Sequence, residues 1–491
     1  MAGTKSVVID PITRLEGHGK IDIRLNEQGN VDNAYLQVVE LRGFERFCMG
    51  RPAEELPRIT PRICGVCPSA HHMAATKCVD DLFNVDPPSA AKKVRELYYS
   101  AHMAHSHILH LYALAGPDFI VGYDADPAKR NIVGVIEKVG LELGKEVIVN
   151  RGYCQRIQAM IGGKATHSVF GLPGGNSKPI TEAEREEMKK MTQSVVEFAK
   201  KTRTIFVDTL TKNETVRSLV ESDGYKHETY YMGLVDSNGA PNFYDGELRV
   251  IDPEGNHFAQ FKSQDYLDHI EEHVEPWTYL KFPYLKKVGW KGLVDGKESG
   301  IYRAAPLARV NVADKMATPV AEDARKEMME FFGGGPVHHT LGFHWARAVE
   351  LAYAAERLAQ LVEDPEITST NVRAKPNTPD EGVGIVEAPR GTLIHHYKSD
   401  PDGMTTDVNL IVATGHNNGG MCLSVKKAAQ TFIKDGHVDQ GILNMVEMAF
   451  RAYDPCLACA THDLTGTPML DVRVFDHTGK QTQTISRKKV A

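Results

Sequence analysis

Apolar and polar positions alternate through the first forty residues, in Lys20-Ile21-Asp22-Ile23-Arg24-Leu25 and again in Ala34-Tyr35-Leu36-Gln37-Val38-Val39. A period of two places one face of a strand in a core and the other in solvent. Asn26-Glu27-Gln28-Gly29-Asn30 supplies the turn, so the segment predicts a hairpin. The period becomes helical over 68–83 and 90–115, and Gly116-Pro117 is expected to end the second helix. A long helix is predicted over 181–210, opened by Thr181-Glu182-Ala183-Glu184, which has the form of a capping box. Alternation returns over 245–262 around the turn Asp252-Pro253-Glu254-Gly255-Asn256. Helices follow near 317–331 and 342–363, then short strands at 383–388, 391–397 and 406–413, then two more helices. Met469-Leu470-Asp471-Val472-Arg473-Val474-Phe475 and Gln481-Thr482-Gln483-Thr484 flank a glycine turn and predict a terminal hairpin. No repeat, low-complexity tract or linker interrupts this order. The expected class is α+β: a mainly helical single large domain, with a central helix bundle and small peripheral β-sheets and hairpins.

The bulk composition narrows the function. The chain has 491 residues, 42% of them hydrophobic, enough to bury a large core. Its net charge is −7 and it has no long basic block, so a nucleic-acid partner has no support. No run of eighteen apolar residues exists, so a membrane span is not expected. Met1-Ala2-Gly3-Thr4-Lys5 leads straight into Ser6-Val7-Val8-Ile9, without the apolar stretch of a secretory signal. Eight cysteines in so long a chain do not make a disulfide scaffold, and a reducing cytoplasm is expected. Cys48, Cys78, Cys154 and Cys422 stand alone and read as small buried hydrophobes.

The other four cysteines form two Cys-x-x-Cys pairs at opposite ends of the chain. Arg62-Ile63-Cys64-Gly65-Val66-Cys67-Pro68-Ser69-Ala70-His71-His72 holds one, and Asp454-Pro455-Cys456-Leu457-Ala458-Cys459-Ala460-Thr461-His462 the other. Each pair offers two thiols at the spacing that grips a soft transition metal. Zinc ribbons use two such pairs with a short loop between them, whereas here the fold must join remote segments. On spacing alone, structural zinc and a redox metal both remain open.

These segments, with three others, resemble the large subunit of nickel–iron hydrogenases. The others are Asp10-Pro11-Ile12-Thr13-Arg14-Leu15-Glu16-Gly17-His18, Arg42-Gly43-Phe44-Glu45 and Glu387-Ala388-Pro389-Arg390-Gly391. The resemblance runs from residue 10 to residue 462. It implies that Cys64 and Cys456 bind nickel terminally, while Cys67 and Cys459 bridge nickel to an iron that carries carbon monoxide and two cyanides. Four soft thiolates suit a nickel that must stay electron-rich. It implies that Cys456 takes the proton released from dihydrogen and that Glu16 relays it. The alternative for Glu16 is a capping box with Thr13. Arg390 is expected over the open face of the metals, paired with Asp454, beside Ala388 and Pro389; its alternative is a surface salt bridge. Thr414 is expected to meet a cyanide, and His71 the Cys459 sulfur. A hydrated magnesium is expected on Glu45, the carbonyl of Leu410 and His462, with iron or zinc as the alternative metal.

Some features depart from the family or lie beyond its motifs. Leu111-Tyr112-Ala113-Leu114-Ala115-Gly116-Pro117-Asp118 stands where many members carry His-Ala-Leu-Asp, and Asp118 is left out of the expected active site. His102, His105, His107 and His110 do not share one helix face and read as packing and surface histidines rather than a metal cluster. Gly171-Leu172-Pro173-Gly174-Gly175 and Gly333-Gly334-Gly335 lack the lysine of a phosphate loop and read as loops. The resemblance divides the chain into a catalytic domain, 1–462, and an extension, 463–491, removed on maturation.

Residues 303–316 and 386–397 look like the cytoplasmic multimeric class, closest to the viologen-reducing, deazaflavin-independent type that feeds heterodisulfide reductase. The NAD(P)-reducing soluble type is the near alternative. From other classes come a structural zinc scaffold and a metal-free homologue in a respiratory proton pump. The chain has no cysteine set for a relay of clusters, so an iron–sulfur small subunit is the expected electron acceptor, across a large and partly apolar interface.

Overall fold

The computed structural model describes residues 5–10, 12–38, 43–457, 471–475 and 481–486, with Lys5 and the last two segments as backbone only. Helix Gly342–Glu363 runs through the centre and packs against Glu182–Lys212, Ser89–Leu109 and Pro319–Phe331. Most of its side chains are buried, as expected of a helix enclosed by others. Small sheets flank this bundle, antiparallel except where Tyr302–Arg303 pairs in parallel with Tyr230–Val235. Lys5–Ile9, Lys20–Leu25 and Val31–Gln37 form one of them, which Asp471–Phe475 and Gln481–Ser486 extend at the Lys5–Ile9 edge. The terminal hairpin thus has its two strands; Met469 and Leu470 lie outside the described residues. The architecture is the expected α+β.

Local signals hold where a cap or a turn defines an end. Thr181 Oγ1 accepts the Glu184 amide at 3.2 Å, and the Glu184 carboxylate accepts the Thr181 amide at 2.8 Å. This capping box contributes about 1 kcal/mol to a helix running over Glu182–Lys212. Asp252-Pro253-Glu254-Gly255-Asn256 joins strands Glu247–Ile251 and His257–Phe261 as expected.

Other helical features differ from expectation, among them short helices over Ile132–Val139, Glu214–Val220 and Ala305–Val312. Helix Ser89–Leu109 does not stop at Gly116-Pro117; it continues as π-helical turns over His110–Ala115 and Pro117–Val121. Proline removes a backbone donor and crowds the carbonyl four residues back, and a widened turn absorbs both defects. Helix Leu141–Gly162 was not expected at all. Its buried positions include Gly144, Asn150, Cys154 and Gln158, while Leu141 is 63% and Ile148 68% exposed. Glycine and amide side chains thus share the inner face with Leu143, Ile157 and Ile161, and this mixture blurs the apolar period.

A three-stranded antiparallel sheet, Glu381–Ala388, Gly391–Ser399 and Thr405–Ile411, lies on helix Pro68–Leu82. Two glycines permit that contact. A Cβ on Gly384 would stand 2.1 Å from the Ala74 carbonyl, and one on Gly382 would stand 2.2 Å from the Leu82 nitrogen. Strand and helix backbones therefore touch directly. The strand delivers Glu387-Ala388-Pro389-Arg390 to the start of the helix that follows the first cysteine pair.

Candidate metal centre

The first pair is built locally. A 3-10 turn, Thr60–Ile63, enters Cys64, and Cys67 immediately precedes helix Pro68–Leu82, whose proline suits a first helical position. Cys64 Sγ accepts the amides of Val66 at 3.3 Å and Cys67 at 2.8 Å, and lies 2.7 Å from Cys67 Sγ. Burial opposes ionisation of Cys64, but the hydrogen bonds from Cys67 outweigh it and lower its pKa.

Cys456 arrives from the far end. Its Sγ lies 3.5 Å from Cys64 Sγ, and its amide donates to Thr414 Oγ1 at 3.1 Å. The sulfurs of Cys64, Cys67 and Cys456 all lie within 4.8 Å of one another and are buried, the one such grouping of potential metal ligands among the described residues. Cys459 lies outside the described residues.

Glu16 reaches the same place from the N-terminus. Its Oε2 is 3.1 Å from Cys456 Sγ, and its carbonyl accepts the Leu457 amide at 2.8 Å. Glu16 is not in a helix, so the capping-box alternative is corrected. It forms an isolated bridge with Cys456, and Thr13 Oγ1 instead donates to Glu447 at 2.8 Å.

Arg390 occupies the tip of a two-residue turn, with Ala388 paired to Gly391 across the strands. Gly391 has φ +137° and touches the Ala413 carbonyl, which no side chain would allow. Arg390 is 2% exposed, so the surface salt-bridge alternative is excluded. Its Nη2 pairs with Asp454 Oδ1 at 3.0 Å, and its carbonyl accepts Asn417 Nδ2 at 3.0 Å. Burial works against the guanidinium charge, but Asp454 and the Cys67 and Cys64 thiols push its pKa up. Burial would likewise raise Asp454, yet Arg390 and His110 hold it well below the usual carboxylate range. His110 Nδ1 lies 3.1 Å from Asp454 Oδ1.

Cys67, Ala388, Pro389, Arg390, Thr414 and Cys456 line a small cavity above the sulfurs. The buried Nε of Arg390 has no hydrogen-bond partner among the described residues, a donor left for a bound group. Clustered cysteine sulfurs beside one cationic donor fit a soft metal that carries anionic ligands.

Residues 42–134 and 146–462 match the nickel-dependent hydrogenase family, and residues 6–41 match a HoxL-like family. The chain belongs to the nickel-dependent hydrogenases. It is 50% identical to an iron-sulfur subunit of the F420-non-reducing hydrogenase of Archaeoglobus profundus, over 98% of this chain and 99% of that one. It is 38% identical to the "NAD-reducing hydrogenase HoxS subunit beta" of Cupriavidus necator, over 97% and 98%. A solved NAD+-reducing [NiFe]-hydrogenase in the H2-reduced state superposes with a TM-score of 0.87 at 38% identity, covering 94% of this chain and all of that one. The hydrogenase is thus a catalytic large subunit acting on dihydrogen, with a nickel–iron active site, and the zinc scaffold no longer competes. Among the described residues, no helix is long and apolar enough to cross a membrane.

The remaining expected residues of the hydrogenase divide. Glu45 lies in the first turn of helix Phe44–Cys48 and accepts the Leu410 amide at 3.0 Å. Glu45, Glu272, Lys281, Leu410 and Cys456 border a cleft of about 290 Å³, in which Glu272 pairs with Lys281 at 3.0 Å. His462 lies outside the described residues, as do Pro11 and Arg42 of the matched segments. His71 Nδ1 meets His395 Nε2 at 3.1 Å, and its expected partner Cys459 is not described. His102, His105, His107 and His110 are all buried, so none is a surface histidine. Burial pushes His105 down to about 3 and His107 and His110 down to about 4, which leaves their rings neutral.

Sequence reasoning missed the support under Arg390. Arg309 Nη1 donates to Glu387 Oε2 at 2.6 Å and to the Ala388 carbonyl at 3.0 Å. Its Nε and Nη2 grip Glu350 at 2.5 and 2.7 Å, and His107 Nε2 adds a contact to Glu350 at 3.0 Å. Arg309, Glu350 and Glu387 are fully buried. Glu387 and Arg309 both lay inside segments that resembled the family. A charged residue within a buried apolar run was the available signal.

Proposed function

We propose that the four cysteines hold the nickel–iron centre as the family resemblance implies, Cys64 and Cys456 on nickel, Cys67 and Cys459 bridging to an iron with carbon monoxide and two cyanides. The observation that carries this reading is the meeting of three cysteine sulfurs, Glu16 and Arg390 from four distant segments in one buried place. When bound, the centre supplies the heterolytic splitting of dihydrogen. Cys456 Sγ receives the proton and Glu16 Oε2, 3.1 Å away, passes it outward. Arg390, fixed by Asp454 at 3.0 Å, aims a permanent positive charge at the cyanide-bearing face. Thr414 accepts the Cys456 amide and retains its own hydroxyl proton for a second acceptor, the other cyanide. His71 orients the Cys459 sulfur.

Glu45, the Leu410 carbonyl and His462 hold a hydrated magnesium at the cleft that borders Cys456. Electrons leave to an iron–sulfur small subunit in the cytoplasm and onward to heterodisulfide reductase, with no direct membrane span. The 50% identical relative named as not reducing F420 supports this acceptor over NAD(P). The 38% identical NAD-reducing relative keeps the second reading in view, and assaying the complex with viologen, F420 and NAD+ separates them. The extension 463–491 is removed after His462 on maturation. An intact mass that retained Ala491 in active enzyme would reject that step.

Infrared spectroscopy of the mature complex tests the centre itself, and carbonyl and cyanide stretches are expected. Glu16→Gln tests the relay. Metal content should stay native while isotope exchange between dihydrogen and water falls at least a hundredfold, and a native exchange rate removes Glu16 from the path.

A further inference from the structure

We infer that Asp118, Arg14, Arg451, Glu447 and Thr13 form a charge-balanced frame whose task is to position Glu16 against Cys456, and that Arg14 and Thr13 are positioning residues of this hydrogenase. The inference rests on the relay role proposed for Glu16.

The frame starts from an irregularity. The π-helical turns after Leu109 carry the chain past Pro117 and bring Asp118 into the protein interior, where it is 2% exposed. Asp118 binds two guanidiniums, Arg14 Nη2 through one oxygen and Arg451 Nη1 through the other at 2.6 Å. Asn444 Nδ2 donates to Asp118 Oδ1 at 3.0 Å, and Arg451 Nη2 pairs with Glu447 Oε2 at 2.5 Å. Two carboxylates and two guanidiniums therefore cancel in a buried site. That balance is what allows the charges to be there.

The frame grips the segment that carries Glu16 at two successive residues. Glu447 Oε2 accepts both the Thr13 amide, at 3.2 Å, and its hydroxyl, at 2.8 Å. Arg451 Nε donates to the Thr13 carbonyl at 3.2 Å, and Arg14 Nη1 to the Leu114 carbonyl at 2.9 Å. Arg14 also holds φ +57°, a conformation that a non-glycine residue adopts only when its surroundings impose it. The Ile12 amide closes the loop on the Gly19 carbonyl at 3.0 Å. Between these anchors the chain has little freedom. Glu16 is presented in register with Cys456, its carbonyl on the Leu457 amide. Among the described residues, none of these hydrogen bonds or ion pairs of the frame reaches a cysteine, so it acts through Glu16.

Arg14→Lys, which keeps the charge and loses the fork, and Thr13→Val, which removes one hydroxyl and keeps the ion pairs, test the frame beside Glu16→Gln. In mature complexes, para-hydrogen conversion reports cleavage at the metals, and D2–water exchange reports proton escape. A merely structural defect lowers both together. We expect each frame variant to retain conversion within about threefold and to lose exchange at least tenfold. A crystal structure of each should show the Glu16 carboxylate displaced from the Cys456 sulfur. Native exchange-to-conversion ratios with Glu16 in place, beside a defective Glu16→Gln, would overturn the frame alone. A native ratio in Glu16→Gln would overturn the relay on which the frame rests.

Discussion

The two cysteine segments solve one problem by opposite means. Cys64 and Cys67 are placed by their neighbours in sequence: a 3-10 turn before, a proline-started helix after, and amides of Val66 and Cys67 on the Cys64 sulfur. Cys456 is placed by residues remote in sequence. Thr414 takes its amide and Glu16 its sulfur, the latter 440 positions away. Asp454, two residues before it, stands at φ +54° and is anchored by Arg390. A locally built ligand pair can form as soon as its helix does. A ligand fixed through distant partners takes its position only once the whole fold has closed. The second arrangement also ties the sulfur to the groups proposed to move its proton and face its metal, so position and chemistry are set by the same contacts.

The contrast can be broken from either side. Replacing a ligand should be decisive wherever it sits: Cys64→Ser and Cys456→Ser should each abolish dihydrogen turnover, measured as hydrogen-dependent viologen reduction. Next comes the support beneath Arg390. Arg309→Met leaves Glu350 and Glu387 buried without their cation and should cost about 3–5 kcal/mol in denaturant unfolding. A loss below 1 kcal/mol would mean that the strand carrying Arg390 does not depend on that ion cluster. Thr414→Val removes the acceptor of the buried Cys456 amide and should cost about 1–3 kcal/mol. It should lower nickel occupancy as well, because it loosens the remotely held ligand and leaves the first pair untouched. Thr181→Ala, far from both segments, should cost only about 1 kcal/mol and leave occupancy unchanged.

Acidity probes the same buried groups together. Burial holds His72 and His110 down to about 4 in the fold, against an unfolded value near 6.5. Between those values the unfolded chain binds more protons, so stability should fall as the pH drops from about 6.5 towards 4. Glu350, held down to about 2 chiefly by Arg309 against the cost of burial, stabilises the fold above about 4.5 and adds a further loss as the pH falls towards 2. Thermal unfolding measured from pH 7 to 4 should show a continuous decline, and a flat profile would mean that these histidines are not buried neutral.

How much could be read without coordinates follows the same local-to-distant divide. The helix over Glu182–Lys212, the central helix and the strands around Arg390 were legible, because period and caps are local properties. The two cysteine pairs were visible as motifs, and the structure brings the sulfurs of Cys64, Cys67 and Cys456 together. Helix Leu141–Gly162 was not legible, because its buried face mixes Gly144, Asn150 and Gln158 with Leu143, Ile157 and Ile161 while Leu141 and Ile148 face solvent. The continuation past Pro117 was hidden by a residue that ordinarily ends a helix. Arg309 and Asp118 act through partners far along the chain, and Glu447 joins its near neighbour Arg451 to the remote Thr13, so the sequence around them does not announce those partners.

Nickel-edge X-ray absorption on the mature complex, compared with Cys456→Ser, tests the convergence of the two segments most directly. Native protein should give a sulfur-rich nickel shell with iron as a near neighbour, and the variant should lose it. Zinc bound by these sulfurs in active native protein, or a nickel shell without sulfur, would contradict the assignment.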